Sequence, residues 1–403
     1  MPRMPLYFQT LIAMMLGVLC GLWLGPRTAS WGVVSEWVVS IIKWVAVPLI
    51  FFTIVETLSR AEFQGRAVRD LFLVSLFNGC CAIAIAIVLV RVFHPGSYLP
   101  MAVPPGKVIG LLALTRFGEL VHENPVVFFL KSPMMAALGS ALAMGLLLLS
   151  ARQRLWFPLR FIEKCDRFCI FSLALVTKVL EVLVQFIPIA VFAAISKVVG
   201  KSGISVFGGL MAYLSVCLGG MALQILFVYR YWIVRRGKIA WGVFWKEAKE
   251  PVIHGFGINS SLATLPLTLK ALDRLGVSES SARLSACVGT NFNNDGILLY
   301  EVLAVFFLCQ SYGVELTVLE QVITAFVCVV ATVGVGGIPE AGVIALTLVL
   351  SAVGLPPESL TVLLTVDWVV ARCRSFTNVT ADMTVAIAID SHPKTRVSHW
   401  RAA

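Results

Sequence analysis

The chain has 403 residues, of which 59% are hydrophobic and 13% are charged, and its mean hydropathy is +0.90. Soluble domains contain about 45–50% apolar and about 25% charged residues, so this composition excludes a soluble protein and predicts an all-α integral membrane protein. The net charge of +10 lies between the apolar segments, where the positive-inside rule explains it without nucleic acid as a partner.

Six apolar segments in the first part of the chain are long enough for helical spans, which need about 20 apolar residues. They cover residues 6–25, 31–58, 71–93, 125–150, 170–198 and 204–229. The loops that follow the second, fourth and sixth segments are rich in Lys and Arg, whereas the alternate loops are poorer. This asymmetry predicts a cytoplasmic N-terminus and a sixth span that ends inside.

The remaining third of the chain interrupts its apolar pattern with polar clusters. These are INSSLATLP (258–266), NFNNDG (291–296), VGVGGIPEAG (333–342) and DWVVARCRSFTNVTAD (367–382). A lone Gly or Asn in a span is commonly a packing residue, but four clusters together favour a site. Broken helices at membrane depth line cavities and build ion and substrate sites in secondary transporters. We therefore expect NNDG to interrupt a helix, where freed carbonyls and a carboxylate can hold a cation.

The last span collects its polar side chains on one face, at about 100° of rotation per residue. They are Asp367, Arg374, Asn378 and Asp382, with Ala371 on the same face and Ser375 at its edge. A central Arg or Asp costs ~2.5–3.5 kcal/mol on insertion scales, so this face should point into the bundle. Arg374 offers a planar fork to a substrate carboxylate. The alternative is an ion pair with Asp367, which we expect to be strained because seven residues span about 10.5 Å of helix rise.

Oxygen ligands for a hard cation such as Na⁺ are present in the same clusters. They are the carboxylates of Asp295 and Asp382, the amide oxygens of Asn293 and Asn378, and the carbonyls of the broken helix. The ten cysteines include no CxxC pair and the five histidines are scattered, so the sequence predicts no zinc site and no cofactor. No nucleophile–base pair or nucleotide-binding loop indicates an enzyme.

These motifs, taken in order over nearly the whole chain, resemble those of the glutamate transporter family, the dicarboxylate/amino acid:cation symporters. Its second span is similar to KWVAVPLIF (43–51), and its serine-rich first hairpin to SSLATLP (260–266). The seventh-span NMDGT motif is similar to NNDGI (293–297), and the second hairpin to GGIPEAG (336–342). The last-span pattern DxxxDxxRTxxNxxxD is met by Asp367, Arg374, Ser375, Asn378 and Asp382.

The resemblance implies eight transmembrane helices, two re-entrant helical hairpins, a homotrimer in the lipid membrane and an elevator mechanism. Residues 1–70 (spans 1–2) and 125–202 (spans 4–5) would form the scaffold. Residues 71–93 (span 3) and 203–392 (span 6, hairpin 1, span 7, hairpin 2 and span 8) would form the transport domain. Both termini would be cytoplasmic, and the short loops favour a bacterial inner membrane.

The resemblance also implies a binding site. The substrate-binding residues would be Ser260, Ser261, Ile297, Ile338, Gly342, Ala371, Arg374, Ser375 and Asn378, with Arg374 on a side-chain carboxylate. One Na⁺ site would comprise Gly289, Asn293, Asn378 and Asp382, and another Asp295 with Asn293.

Departures from the family pattern bear on the substrate. Ala371 stands where amino-acid-transporting members have an aspartate for the substrate ammonium, and a buried ammonium without a counter-charge is costly. Ile297 and Leu262 replace hydroxyl residues near the expected substrate. Asn78 and Gly79 stand where Thr-Ser commonly supports the Asp295 site.

The sequence therefore predicts a secondary active symporter that couples Na⁺, or H⁺, to uptake of small anions, with C4-dicarboxylates favoured by Ala371. An acidic amino acid (glutamate or aspartate) remains the alternative substrate, because Asp382 and the IPEAG hairpin resemble the sodium-coupled amino-acid branch. An anion-conducting channel is a remote alternative.

Overall fold

A computed structural model describes residues 6–59, 66–101, 133–154, 158–203, 206–261, 264–334, 341–356 and 359–390. Within these ranges the ordered elements are helices and no strand occurs, which confirms the predicted all-α class. Ile338 and Leu262 lie outside the described residues.

The α-helices of the described part follow one another along the chain. They are α1 (Leu6–Leu24), α2 (Gly32–Ser59), α3 (Arg66–Phe93), α4 (Pro133–Arg154), α5 (Leu159–Val184), α6 (Ile187–Ser202), α7 (Val206–Leu223), α8 (Trp241–Ile258), α9 (Leu265–Arg274), α10 (Glu279–Arg283), α11 (Asp295–Ser311), α12 (Val318–Gly334), α13 (Ala341–Val353) and α14 (Ser359–Ile389). Helix α7 continues through π-helical turns to Arg236. A short 3₁₀ turn, Pro95–Tyr98, follows α3, and two further short turns precede α11.

Four helical stretches of the described part are long and apolar enough to cross a membrane. They are Ile12–Val34, Ala67–Phe93, Phe207–Arg236 and Gly289–Ser311. Shorter apolar helices follow at Val318–Val333 and Gly342–Val353. The chain is therefore a multi-pass membrane protein, while the number of eight spans stays a prediction.

One predicted span is wrong in its extent. Residues 170–198 do not form a single helix, because α5 ends at Val184 and α6 begins at Ile187. Pro188 lies in the first turn of α6, where its missing N–H and fixed φ favour a helix start over a helix interior. Of the predicted span 125–150, the part after residue 132 belongs to α4, and the rest lies outside the described residues.

The helices pack in two groups. In the first group α1 runs along α6, and α2 packs on α4, α5 and α6. Gly17 and Gly21 bring α1 close to α6, since an added Cβ would lie 2.9 Å from Phe192 O at Gly17 and 2.9 Å from Val199 Cβ at Gly21. Small residues at this spacing let membrane helices approach closely.

Helix α11 is the centre of the second group. It contacts α3, α7, α12, α13 and α14, and all its residues from Asp295 to Cys309 are buried. A helix that is apolar all round must be enclosed on every side. The polar residues at its N-terminal end are therefore carried into the protein interior.

Two pairs of helices correspond to the predicted hairpins. Helices α8 and α9 pack together, and Asn259 ends α8 in the left-handed conformation (φ 59°). Helices α12 and α13 also pack together. The residues that join each pair lie partly outside the described ranges, so the re-entrant character of both hairpins stays a prediction.

Neighbouring glycines in α7 give a matched test of this packing. An added Cβ at Gly209 would lie 2.5 Å from Leu99 Cβ and 3.1 Å from Leu99 N, so backbone has to move. We expect Gly209→Ala to lower the midpoint of thermal unfolding of the detergent-purified protein, at a cost of roughly 1–3 kcal/mol.

Gly208→Ala is the control for that substitution. Its added Cβ would meet no described atom outside the helix within 4 Å, and Gly in a helix costs about 0.5–1 kcal/mol relative to Ala. Gly208→Ala should leave the midpoint unchanged or raise it. Equal decreases in both variants would contradict the close contact at Gly209.

Candidate functional site

The predicted interruption at NNDG is confirmed. A short 3₁₀ turn, Gly289–Asn291, ends the preceding helical segment, and α11 begins only at Asp295. The carbonyl oxygen of Gly289, a predicted cation ligand, accepts hydrogen bonds from Phe292 N (2.8 Å) and Asn293 N (2.9 Å). The tight turn therefore satisfies part of the backbone hydrogen bonding within the break.

Asp382 lies beside this break in a cluster of oxygen atoms. Its Oδ1 accepts from Asn293 Nδ2 (3.1 Å), and its Oδ2 accepts from Thr290 Oγ1 (3.0 Å). Ser75 Oγ donates to Asn293 Oδ1 (2.6 Å), and Ser285 Oγ donates to the Asp382 carbonyl (2.7 Å). All of these side chains are buried.

The Asp382 cluster suits a hard cation chemically. A carboxylate, an amide oxygen and three hydroxyls offer the oxygen ligands that such ions favour. The sequence placed Asn293 with Asp382 but missed Ser75, Ser285 and Thr290. Hydroxyl residues are frequent in membrane helices, and only the tertiary structure shows which of them reach a carboxylate.

Asp295 has different neighbours from those predicted. Its Oδ2 accepts from Tyr229 OH (2.8 Å) and Gln224 Nε2 (3.4 Å), both from the π-helical extension of α7. Asn293 was expected in cation sites with both Asp382 and Asp295, and its amide nitrogen donates to Asp382; its place in a site with Asp295 stays a prediction. One tight turn separates the two residues and directs their side chains to different helices.

Asn78 joins the Asp295 network from α3. Gln224 Nε2 donates to the Asn78 carbonyl (3.0 Å), and Trp232 Nε1 donates to Asn78 Oδ1 (2.8 Å). The neighbouring Gly79 is closely packed, since an added Cβ would lie 3.3 Å from Leu298 Cδ2. Asn78 and Gly79, which depart from the family pattern, thus both contact the helices around Asp295. Asn78 does so through hydrogen bonds and Gly79 through close packing.

Arg374 and Asp367 form the ion pair that the sequence argument disfavoured. Nη1 lies 2.7 Å from Oδ1 and Nη2 lies 3.3 Å from Oδ2, and the side chains are 4% and 5% exposed. The prediction that this pair would be strained is wrong. Helical side chains tilt toward the N-terminus, so the long arginine reaches back along α14 to Asp367. The pair is bidentate, which is the strong form of this contact.

The Arg374 guanidinium is also enclosed from two other directions. Its Cζ lies 4.1 Å from the centroid of the Tyr300 ring in α11, within cation–π distance. At the start of α13, a Cβ added to Gly342 would lie 2.5 Å from Arg374 Cζ. Two predicted substrate residues, Gly342 and Arg374, are therefore brought into direct contact.

The first hairpin reaches the same part of α14. A Cβ added to Gly255 of α8 would lie 2.9 Å from Val379 Cγ2 and 3.5 Å from Ser375 Oγ. Ser375 Oγ is buried and has no hydrogen-bond partner among the described residues. Its hydroxyl is available to a ligand.

The remaining predicted substrate residues that the structure describes are buried, and Ile338 lies outside the described ranges. Ser260 and Ser261 lie at the end of the first hairpin, Ile297 in the first turn of α11, and Ala371 and Asn378 on the inward face of α14. Asn378 Oδ1 accepts from Gly296 N (2.9 Å), so α14 meets the helix break at this residue.

Glu301 is a buried carboxylate that the sequence analysis missed. It lies in α11 with 0% exposure, and its Oε2 accepts from Thr332 Oγ1 of α12 (3.0 Å). Its Oε1 has no partner among the described residues. A charged residue within an otherwise apolar helix is by default a functional candidate, and that rule would have identified it.

Comparison with known proteins identifies the family of the chain. The model of the Sodium:dicarboxylate symporter family matches residues 6–392. The C4-dicarboxylate transport protein of Rhizobium leguminosarum is 26% identical over 401 residues, which cover 95% of this chain and 88% of that protein. The protein of the same name from Rhodopseudomonas palustris strain BisB5 is 29% identical over 402 residues, covering 94% and 86%.

The family match extends over the broken helix, the hairpin helices and the buried polar face of α14, so it includes every part of the site. The chain belongs to the Sodium:dicarboxylate symporter family.

Proposed function

We propose that the protein is a secondary active symporter that takes up C4-dicarboxylates together with Na⁺, with H⁺ as the alternative coupling ion. The observation that carries this proposal is a buried arginine, Arg374, less than one turn from a buried alanine, Ala371, on the inward face of α14. The arginine fork suits a carboxylate, whereas the alanine offers no counter-charge to an ammonium group. The names of the relatives, C4-dicarboxylate transport proteins, support the same substrate class.

The charges of the site explain why a cation should accompany the substrate. Arg374 is already neutralised by Asp367, so a bound dicarboxylate adds two uncompensated negative charges. Charge in a low-dielectric interior is costly without a partner. Cations that enter with the dianion remove this cost, which links substrate binding to ion binding.

The proposed ion sites use the carboxylates beside the helix break. Asp382, Asn293, Asn378 and the Gly289 carbonyl form one proposed Na⁺ site, to which Thr290 adds a hydroxyl already bonded to Asp382. Asp295 is proposed for a second site. Glu301 is the buried carboxylate that supports the H⁺ alternative, because a proton would neutralise its charge and its Oε1 has no hydrogen-bond partner among the described residues.

The same family architecture is proposed for the whole chain. Eight spans and two re-entrant hairpins would assemble as a homotrimer in a bacterial inner membrane, with both termini cytoplasmic. The packing of α2 on α4, α5 and α6 and of α1 along α6 supports a scaffold of residues 1–70 and 125–202. The packing of α11 with α3, α7 and α14 supports a moving domain of residues 71–93 and 203–392.

An acidic amino acid is the second candidate substrate. The buried Asp382 among oxygen atoms favours sodium coupling, as in the amino-acid branch of the family. Transport of glutamate or aspartate would then require another group to hold the ammonium.

Uptake into proteoliposomes tests the function directly. Labelled succinate and labelled glutamate are supplied in parallel with an inward Na⁺ gradient, with K⁺ in place of Na⁺, or with an inward H⁺ gradient alone. We expect Na⁺-dependent accumulation of succinate and little glutamate. Accumulation of glutamate alone would contradict the substrate assignment, and currents without accumulation would favour a channel.

Introducing a carboxylate at position 371 should change the substrate preference. In Ala371→Asp the new charge lies on the face of α14 that carries Arg374, where it can pair with a substrate ammonium. We expect glutamate or aspartate uptake to rise at least severalfold relative to succinate uptake. An Ala371→Asp protein that still moves succinate and gains no amino-acid uptake would remove the argument from Ala371.

A test of the role of Arg374 requires a variant that leaves no unpaired buried charge. Removing one member of a buried pair costs about 3–5 kcal/mol, whereas removing both is far less destabilising. The double variant Asp367→Asn with Arg374→Gln should therefore assemble and lose succinate uptake. Uptake like that of the wild type in this variant would show that the pair is structural.

The single variant Asp367→Asn is the matched control. It keeps the guanidinium but removes its internal partner, so the protein should unfold at a lower temperature without substrate. Succinate should raise the unfolding midpoint of Asp367→Asn more than that of the wild type, because the substrate carboxylate then replaces the missing partner. An equal rise in both proteins would argue against contact between Arg374 and the substrate.

A further inference from the structure

Asn294 is the N-cap residue of α11, yet its side chain makes no cap hydrogen bond. An N-cap Asn usually accepts from a backbone N–H two or three positions further along, which satisfies one of the free donors of the helix end. At this helix that contact is missing. The side chain of Asn294 has another set of partners.

Three hydrogen bonds link the helix break to α14 in a fixed direction. The backbone N–H of Gly296 donates to Asn378 Oδ1 (2.9 Å) and Asn378 Nδ2 donates to Asn294 Oδ1 (3.1 Å). Asn294 Nδ2 in turn donates to the Asn291 carbonyl (3.3 Å). A backbone donor at one end and a backbone acceptor at the other determine the orientation of both amides.

The two asparagines have therefore exchanged roles. Asn378, from another helix, supplies the cap oxygen to α11, and Asn294, the formal cap residue, holds the Asn378 amide in place. The contact with Asn378 thus takes the place of the local cap that α11 lacks.

The space around these amides prevents alternative orientations. A Cβ added to Gly296 would lie 2.8 Å from Asn378 Oδ1 and 2.8 Å from the Arg374 carbonyl, so α11 and α14 are in close backbone contact here. Asn294 is 1% exposed and Asn378 is 5% exposed. Neither amide can turn to water in place of its present partner.

Asn378 retains one N–H that this series of bonds does not use. An amide nitrogen carries two hydrogens about 120° apart, and Asn294 accepts one of them, which fixes the direction of the other. Asn378 lies four residues beyond Arg374, on the same inward face of α14.

We propose that Asn294 is a positioning residue that orients the second Nδ2 hydrogen of Asn378 toward a substrate carboxylate. The inference rests on the proposed function, in which Asn378 contacts the substrate. It assigns to Asn294 a role in dicarboxylate affinity that requires no contact between Asn294 and the substrate.

A double-mutant cycle measures this role. Asn294→Leu keeps a similar side-chain shape but removes both amide groups, and Asn378→Ala removes the residue through which Asn294 acts. The KM for succinate uptake is measured in proteoliposomes for the wild type, each single variant and the double variant. Unfolding midpoints of the four proteins show whether assembly is retained.

We expect Asn294→Leu to raise the KM for succinate roughly tenfold in the wild-type background, as for loss of one hydrogen bond to a charged group. In the Asn378→Ala background the same substitution should change KM by less than about twofold, because residues that act through one another are not additive. If Asn294→Leu does not assemble, Asn294→Ala provides the same comparison.

Equal increases of KM in both backgrounds would overturn the inference, since a general structural effect of Asn294 does not depend on Asn378. An unchanged KM in Asn294→Leu would also overturn it, as would an unchanged KM in Asn378→Ala. Absence of succinate uptake by the wild-type protein would instead contradict the proposed function, and it is seen before any variant is made.

Discussion

A membrane interior offers no water to a charged side chain, so every charge on α14 must find its partner within the protein. Arg374 forms an ion pair with Asp367 on its own helix. Asp382 accepts hydrogen bonds from Asn293 and Thr290 at the interrupted helix before α11. The contacts of Asp382 determine where α14 lies against the break. The close backbone approach at Gly296 follows from that placement.

The same constraint relates the site to transport. A neutral Arg374–Asp367 pair can accept a carboxylate only if further positive charge arrives or if the pair rearranges. In the proposed function, the oxygen-rich surroundings of Asp382 hold that charge about two helical turns further along the same face. The proposed substrate and ion sites then share one helix, which connects them without a long pathway.

Much of this site could be predicted from the sequence, because buried polar residues in an apolar chain have few explanations. The helix break at NNDG and the inward face of α14 followed from residue types and helical periodicity. Contacts that depend on side-chain direction could not be predicted from the sequence. The reach of Arg374 toward Asp367, and the donors that Thr290 and Tyr229 supply to Asp382 and Asp295, depend on side-chain rotamers and on the tertiary structure, which spacing alone does not determine.

The departure from the family pattern at Asn78 is compensated within the protein. Asn78 replaces a hydroxyl residue, and its carbonyl and amide oxygen accept from Gln224 and Trp232. Asp295 nearby receives donors from Gln224 and Tyr229, so hydroxyls lost from α3 are balanced by hydrogen bonds from α7. Both carboxylates accept two side-chain hydrogen bonds, but the cluster around Asp382 also holds the Asn293 amide oxygen and the hydroxyls of Ser75 and Ser285, which makes Asp382 the stronger candidate of the two for ion coupling.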